Sequence, residues 1–361
     1  MITPPVLPDF PWDSLAGAKA RAAAHPDGIV DLSVGTPVDP TPEPVRQALT
    51  DAADAAGYPT THGTAELREA IVGWLGRRRG VTITPEAILP VIGTKEAVAW
   101  LPTMLGVTGR VGLPELAYPT YEVGALLAGA EPRRADSLLA WGPSAPELLW
   151  LNSPSNPTGR ILGEEHLRKV VEWSRESGTV IASDECYAEL VWAGRAPSLL
   201  ADDICDGDHR GLLLLHSLSK RSNMAGYRFG FIAGDPALVA GLLSVGKHAG
   251  MMVPAPVQAA ATAAYDDDLH ADEQRAIYRD RREILVAALR EAGFRIDSSE
   301  GGLYLWATEG RPCRDTVASL AELGILVAPG DFYGADGANH VRVALTATDE
   351  RIAAAAARLT L

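Results

Sequence analysis

The sequence predicts an α/β protein, with a mostly parallel sheet covered by helices on both faces and a smaller α/β unit following it. Two observations predict it. Short aliphatic runs alternate with stretches of helical periodicity through the first two thirds of the chain, and the texture changes after about Lys247. Alternating strand and helix signals imply parallel pairing, because a parallel neighbour is reached only through a crossover. At 361 residues the chain exceeds what one core usually carries. Two domains are therefore expected, a large one over residues 41–246 and a small one over 247–361, with segment 1–40 packing against the small one.

Taken in order, residues 30–34 read as a buried strand, and the helical pattern at 66–79 leads into a strand at 87–92. A helix at 96–105 and another at 121–127 precede the strand at 148–152. The helix at 164–176 feeds a strand at 179–183, and strands at 212–216 and 228–233 close the run. Beyond residue 247, positions 257–292 are largely helix-forming. Their mixture of Glu273, Arg275, Arg279, Arg281, Arg282 and Glu283 predicts a long solvent-exposed helix. Strands follow at 294–296, 302–307, 325–327 and 341–345, and an alanine-rich helix at 350–359 ends the pattern.

Composition narrows the function. Hydrophobic residues make up 47% and charged residues 22%, a globular balance. No apolar run approaches the ~18 residues that cross a bilayer. Residues 1–12 lack a basic start followed by an apolar stretch, so no signal peptide is read and a cytoplasmic protein is expected. The net charge of −14 argues against nucleic acid and anionic membrane as partners. A small anionic ligand needs only a few placed cations and stays open. Cys186, Cys205 and Cys313 form no C-x-x-C pair and the eight histidines show no H-x-x-x-H spacing, so neither a disulfide framework nor a metal site is expected.

Five stretches carry chemistry. Lys220, in S-L-S-K-R-S-N-M-A-G-Y-R-F-G (217–230), follows a strand, where open α/β sheets bind ligands. A partly desolvated lysine loses its proton readily and attacks an aldehyde to form an imine. Ser217 and Arg228 flank it, and arginine grips phosphate through paired hydrogen bonds. A solvated lysine beside a structural arginine fits the same letters. Asn156, in N-P-T-G after the 148–152 strand, is held rigidly enough to donate to a phenolate oxygen, although the tetrapeptide is also a good turn.

Asp184 ends the 179–183 strand, where an ionised carboxylate needs a cation, and a pyridinium nitrogen would supply one. Keeping that nitrogen protonated makes the ring an electron sink. Tyr187 could donate to the ring hydroxyl. A helix cap by Asp184 is the plainer alternative. Gly93, Thr94 and Lys95 join a strand to a helix, whose free N–H groups favour phosphate. Tyr118, in A-Y-P-T-Y, offers a face for stacking or belongs to the core.

These elements fall into one order. The chain resembles the class I/II, aspartate-aminotransferase-like, pyridoxal 5'-phosphate transferases over nearly its full length. The anchors are G-T-K-E-A, A-Y-P, N-P-T-G, D-E-C-Y, S-L-S-K, G-Y-R-F-G and V-R-V with Arg342. The resemblance implies a large cofactor domain with a mostly parallel seven-stranded sheet and a smaller α/β C-terminal domain. It implies that Lys220 holds the cofactor as a Schiff base and carries the proton between the substrate Cα and the cofactor. Asp184 would pair with the ring nitrogen, Asn156 and Tyr187 with the ring oxygen. Ser217, Arg228 and the Gly93–Lys95 backbone would hold the phosphate, and Tyr118 would stack on the ring. Arg342 would take the substrate carboxylate, with Gly35 of L-S-V-G-T-P close by. Gly35 also reads as a tight-turn glycine. Tyr58 resembles the family tyrosine that reaches the phosphate of the neighbouring subunit, which implies a homodimer.

Within that family the chain most resembles the actinobacterial-type succinyldiaminopimelate aminotransferases, through segments 91–102, 114–125, 217–227 and 246–260. The implied reaction moves an amino group from glutamate to N-succinyl-2-amino-6-oxopimelate, in lysine and diaminopimelate synthesis. Lys247 and His248 are expected to enter the partner's site and bind distal carboxylates. Lys95 stands where relatives carry a small or neutral residue, and is read as adding a cation near the phosphate or facing solvent. Two other readings stay open. One is an aminotransferase or C–S lyase of the same fold acting on aspartate, alanine or an aromatic amino acid. The other is a non-catalytic cofactor-sensing module.

Overall fold

The computed structural model describes residues 6–142 and 144–360. Twelve strands are assigned among them. In chain order, β1 is Val30–Leu32, β2 Ile88–Val91, β3 Arg110–Leu113, β4 Glu131–Arg134, β5 Leu148–Asn152 and β6 Val180–Asp184. β7 is Leu212–Ser217, β8 Gly230–Gly234, β9 Arg295–Ser298, β10 Tyr304–Thr308, β11 Ile325–Pro329 and β12 Val341–Ala344. Seven form one sheet in the order β2-β8-β7-β6-β5-β3-β4. Pairing is parallel from β7 through to β4, and β8 runs antiparallel to both its neighbours. The central strands β5 and β7 are buried at every residue, as a sheet covered on both faces requires.

The remaining five strands form a second sheet, β1-β11-β12-β10-β9. The first aliphatic run of the chain thus leaves the large sheet: β1 pairs in parallel with β11, and the Val30 N–H binds Gly324 O at 2.8 Å. Two strands of the large sheet, β3 and β4, carry no aliphatic run. β4 reads Glu-Pro-Arg-Arg, and as an edge strand it tolerates both the proline and the polar face.

The helical stretch read over 257–292 is two helices, Ala255–Asp266 and Leu269–Glu291. The break falls at three consecutive aspartates, where the Asp267 carboxylate accepts the Leu269 N–H at 2.9 Å. Nor is the second helix solvated all round. Arg281 is buried and grips Asp39 through both terminal nitrogens, at 2.7 and 2.6 Å. The helix Pro236–Ala249 starts from Asp235, whose carboxylate accepts the N–H groups of Ala237 and Leu238, and it runs across position 247. Among the described residues no helix is long and apolar enough to cross a membrane.

Candidate active site

A cavity of about 1070 Å³ opens at the C-terminal ends of β5, β6 and β7. Its position follows from parallel strands that end together and let their following loops diverge. Gly35, Thr94, Lys95, Tyr118, Asn156, Asp184, Tyr187, Ser217, Lys220, Arg228 and Arg342 all line it. Eleven residues singled out in the sequence thus converge on one space.

Lys220 follows β7 in the turn Leu218–Arg221. Its amine donates to Gly35 O. Desolvation pushes its pKa below the usual lysine value, and the nearby Arg342 and Arg228 charges act in the same direction. The neutral amine is therefore easier to reach than in a free lysine. Asp184 ends β6 and is buried. Its carboxylate accepts from the Tyr121 hydroxyl at 2.7 Å and from the Cys186 N–H at 3.1 Å. Burial raises its pKa, and among the described residues it has no ion-pair partner. A buried carboxylate in that condition is completed by a cationic group from a ligand.

Arg342 lies on β12 and is also buried. One terminal nitrogen donates to Asn156 Oδ1 at 2.9 Å, the other to Ser33 O at 2.7 Å, while Nε has no partner. Its guanidinium lies 3.9 Å from the Tyr304 ring centroid and 5.1 Å from that of Tyr333. No carboxylate pairs with it among the described residues. A desolvated guanidinium caged by aromatic rings fits an incoming carboxylate. Asn156 is itself held by its N–H on Asn152 Oδ1 at 2.7 Å.

Gly93 caps the helix Thr94–Met104 at φ 78°, and a Cβ there would fall 2.5 Å from Arg228 Nη2. Glycine lets the backbone and that guanidinium meet, beside the free N–H groups of the helix start. Lys95 is exposed at the mouth, with Nζ 5.3 Å from the Phe10 ring centroid. Tyr118 meets Tyr121 edge-on at 5.8 Å.

Three residues lie elsewhere. Tyr58 is 95% exposed, and Lys247 and His248 are exposed at the end of helix Pro236–Ala249. The two segments meet where a Cβ at Gly246 would lie 3.3 Å from Thr61 Cγ2. Gly93 is buried beneath the cavity wall rather than in it. Sequence reading passed over Asn152, Tyr121 and Tyr304. Tyr121 stands three residues after Tyr118 in A-Y-P-T-Y, in the first turn of the helix Thr120–Leu127. Tyr304 carries no signal beyond its place in a strand. Among the described residues no group of His, Cys, Asp and Glu is arranged to hold a metal.

An unpaired buried carboxylate, an unpaired buried guanidinium, a depressed lysine and a glycine–arginine cradle together fit pyridoxal 5'-phosphate with an amino acid. The model of the family described as aminotransferase class I and II matches residues 27–359. A probable aminotransferase of Mycobacterium tuberculosis is 64% identical over 98% of this chain and 85% of its own length. The 4-dedimethylamino-4-oxo-anhydrotetracycline transaminase of Streptomyces rimosus is 59% identical over 98% of this chain and 99% of its own. Among solved structures, a probable N-succinyldiaminopimelate aminotransferase of Thermus thermophilus superposes with a TM-score of 0.86. It is 29% identical and covers 97% of this chain and 99% of the other.

Proposed function

Because the chain belongs to the class I and II aminotransferases, a pyridoxal 5'-phosphate-dependent family, we propose that it moves an amino group from glutamate to N-succinyl-2-amino-6-oxopimelate. The observation that carries the transamination is the meeting of Lys220, Asp184 and Arg342 in one cavity. When bound, the cofactor withdraws electrons from the substrate Cα and stores the amino group between the two half-reactions.

The chain's own residues do the rest. Asp184 balances the charge of the ring nitrogen. Asn156 and Tyr187 hold the ring oxygen, and Tyr118 lies against the ring. Ser217, Arg228 and the backbone of Gly93, Thr94 and Lys95 hold the phosphate, where positive φ and a helix start suit an anion. Arg342 binds the substrate α-carboxylate, and Gly35 keeps the backbone close to it. Lys220, whose amine is held by Gly35 O, takes the proton from Cα and returns it on the other side of the transfer.

The longer acceptor substrate brings further carboxylates. Of the lysines and arginines lining the cavity, Lys19 is paired with Asp31 at 4.0 Å. With Lys220, Arg228 and Arg342 assigned, Lys95 is left to receive a distal carboxylate within the same chain. Tyr58, Lys247 and His248 form an exposed set that a second copy of the chain would carry into this cavity, and we infer a homodimer on that basis. The name of the Thermus structure supports the succinylated substrate. A second reading, a ketone on a polycyclic acceptor, is favoured by the Streptomyces relative at 59% identity.

One assay separates them. The purified protein with cofactor and glutamate is offered the succinylated keto acid, a panel of alanine, aspartate and aromatic keto acids, and a tetracycline ketone, and 2-oxoglutarate is measured. The proposal expects the highest kcat/KM on the succinylated acid. Faster turnover of any other member overturns it.

A further inference from the structure

Tyr304, the first residue of β10, lines the cavity, yet the roles above leave it without one. Three contacts converge on it. Its hydroxyl lies 3.2 Å from the hydroxyl of Tyr187. Its ring covers the Arg342 guanidinium at 3.9 Å, a separation at which the ring face attracts the cation. A Cβ built on Gly35 would fall 2.1 Å from the Tyr304 hydroxyl. Gly35 has no positive φ, so glycine is required there by this approach and not by the turn. A ring alone would satisfy the arginine. What the neighbourhood accommodates in addition is the oxygen.

We propose that Tyr304 is a positioning residue of the transamination site, its hydroxyl holding and polarising the Tyr187 hydroxyl while its ring holds Arg342. One rigid side chain then links the group assigned to the ring oxygen with the group assigned to the substrate carboxylate. A phenol that donates to Tyr187 makes Tyr187 the stronger donor in turn, because hydrogen bonds in a chain polarise one another. The inference rests on the assignments of Lys220 and Tyr187 made above.

The charge around the phenol agrees with such a role. The cations facing it are Arg342 and Lys220, the carboxylate is Asp184, and Tyr118, Tyr187, Tyr278 and Tyr333 are the other phenols. Burial pushes its pKa up, but Arg342, Lys220 and the hydrogen bond with Tyr187 together outweigh burial and leave it below the usual tyrosine value. Tyr187 moves the other way, because burial and its acidic neighbour keep it protonated. Either hydroxyl can donate across the 3.2 Å contact; with Tyr304 as the donor, the single proton of Tyr187 is left for the ring oxygen.

The test is the pH titration of the cofactor's visible absorption in the holoenzyme, a readout separate from turnover. With Tyr304→Phe the stacked ring stays and the hydroxyl goes. A weaker Tyr187 donor stabilises the anionic ring oxygen less, so the midpoint is expected to rise by roughly half to one pH unit. Tyr187→Phe should raise it further, and adding Tyr304→Phe to Tyr187→Phe should then change little. A Tyr304→Phe midpoint within about 0.1 unit of wild type, set against the expected shift, overturns the inference. So does full additivity of the two single shifts in the double variant. If the parent assignment of Lys220 fails instead, the band and its titration survive in Lys220→Ala, an outcome that leaves the Tyr304 and wild-type titrations to be compared on their own.

Discussion

Tyr121 donates its hydroxyl to the Asp184 carboxylate at 2.7 Å, and its ring stacks on Trp150 at 4.8 Å. Trp150 lies on β5 and Asp184 ends β6, so the tyrosine spans two neighbouring parallel strands and fixes the carboxylate between them. In the role proposed for Asp184, balancing one cationic atom, the carboxylate must not swing, and its burial makes a misplaced charge costly. Tyr121→Phe keeps the stacking and removes the donor. The loss of one hydrogen bond to a charged group predicts cofactor affinity lower by roughly ten-fold, at about 1.5 kcal/mol. Asp184→Ala should weaken binding much further and slow proton abstraction. Equilibrium titration of each apoprotein with the cofactor measures both.

Lys220 gives a prediction in the absence of cofactor. Burial lowers its folded-state pKa, so over the window between that value and the unfolded one, about 10.4, the unfolded chain binds a proton that the folded chain does not. Stability then rises with pH across the window, and below it the penalty is present in full. The Lys220→Met apoprotein is therefore expected to melt at a higher temperature than wild type at pH 7. The gap should close as the pH approaches 10. The same variant, and Lys220→Ala, should lose transamination almost completely. A thermal melt across pH measures the first effect and an amino-donor assay the second.

How much of this was legible beforehand depended on where the signal was local. Strands β5 and β7 are apolar almost throughout, and Asp184 ends its strand while Asn156 and Lys220 sit just beyond theirs, where polar residues stand out. Arg342 had no local signal, being one arginine in V-R-V, and came only through the family resemblance. Strand β4 was hidden because an edge needs no apolar face. Arg281 read as solvated because its partner Asp39 is some 240 positions away in sequence, a pairing that periodicity does not carry. Tyr121 and Tyr304 were passed over because a core tyrosine and a site tyrosine look alike until the cavity between them is seen.

Lys95 separates substrates. It lines the cavity mouth on the first turn of its helix, and a carboxylate beyond the reacting centre would meet it there. Lys95→Ala should raise KM about ten-fold for a keto acid with a distal carboxylate, as one charged hydrogen bond implies. For a monocarboxylic keto acid the change should stay within about two-fold. Steady-state kinetics on the two acids decide it. An equal rise on both would place Lys95 with the phosphate instead.

The Asp39–Arg281 pair joins the stretch after β1 to the long helix Leu269–Glu291, and Gln274 on that helix donates to the same carboxylate at 2.9 Å. Gln274 in turn accepts from Asn223, three residues beyond Lys220, so the pair also steadies the lysine loop. Both side chains are largely buried, and removing one partner strands the other's charge. Asp39→Ala should cost about 3 kcal/mol at neutral pH, the low end for a broken buried pair, because Arg281 keeps its contact with the exposed Asp349. Burial pushes the Asp39 pKa up, but Arg281 and Gln274 outweigh it and hold it below the usual value. A depressed carboxylate contributes fully above its unfolded pKa of about 3.9 and loses that contribution as the pH falls through the folded one. Urea unfolding at pH 7 should therefore separate wild type from Asp39→Ala by the full amount, with the gap shrinking only below about pH 4. A gap that already narrowed between pH 7 and 5 would mean that the carboxylate is not held ionised by Arg281.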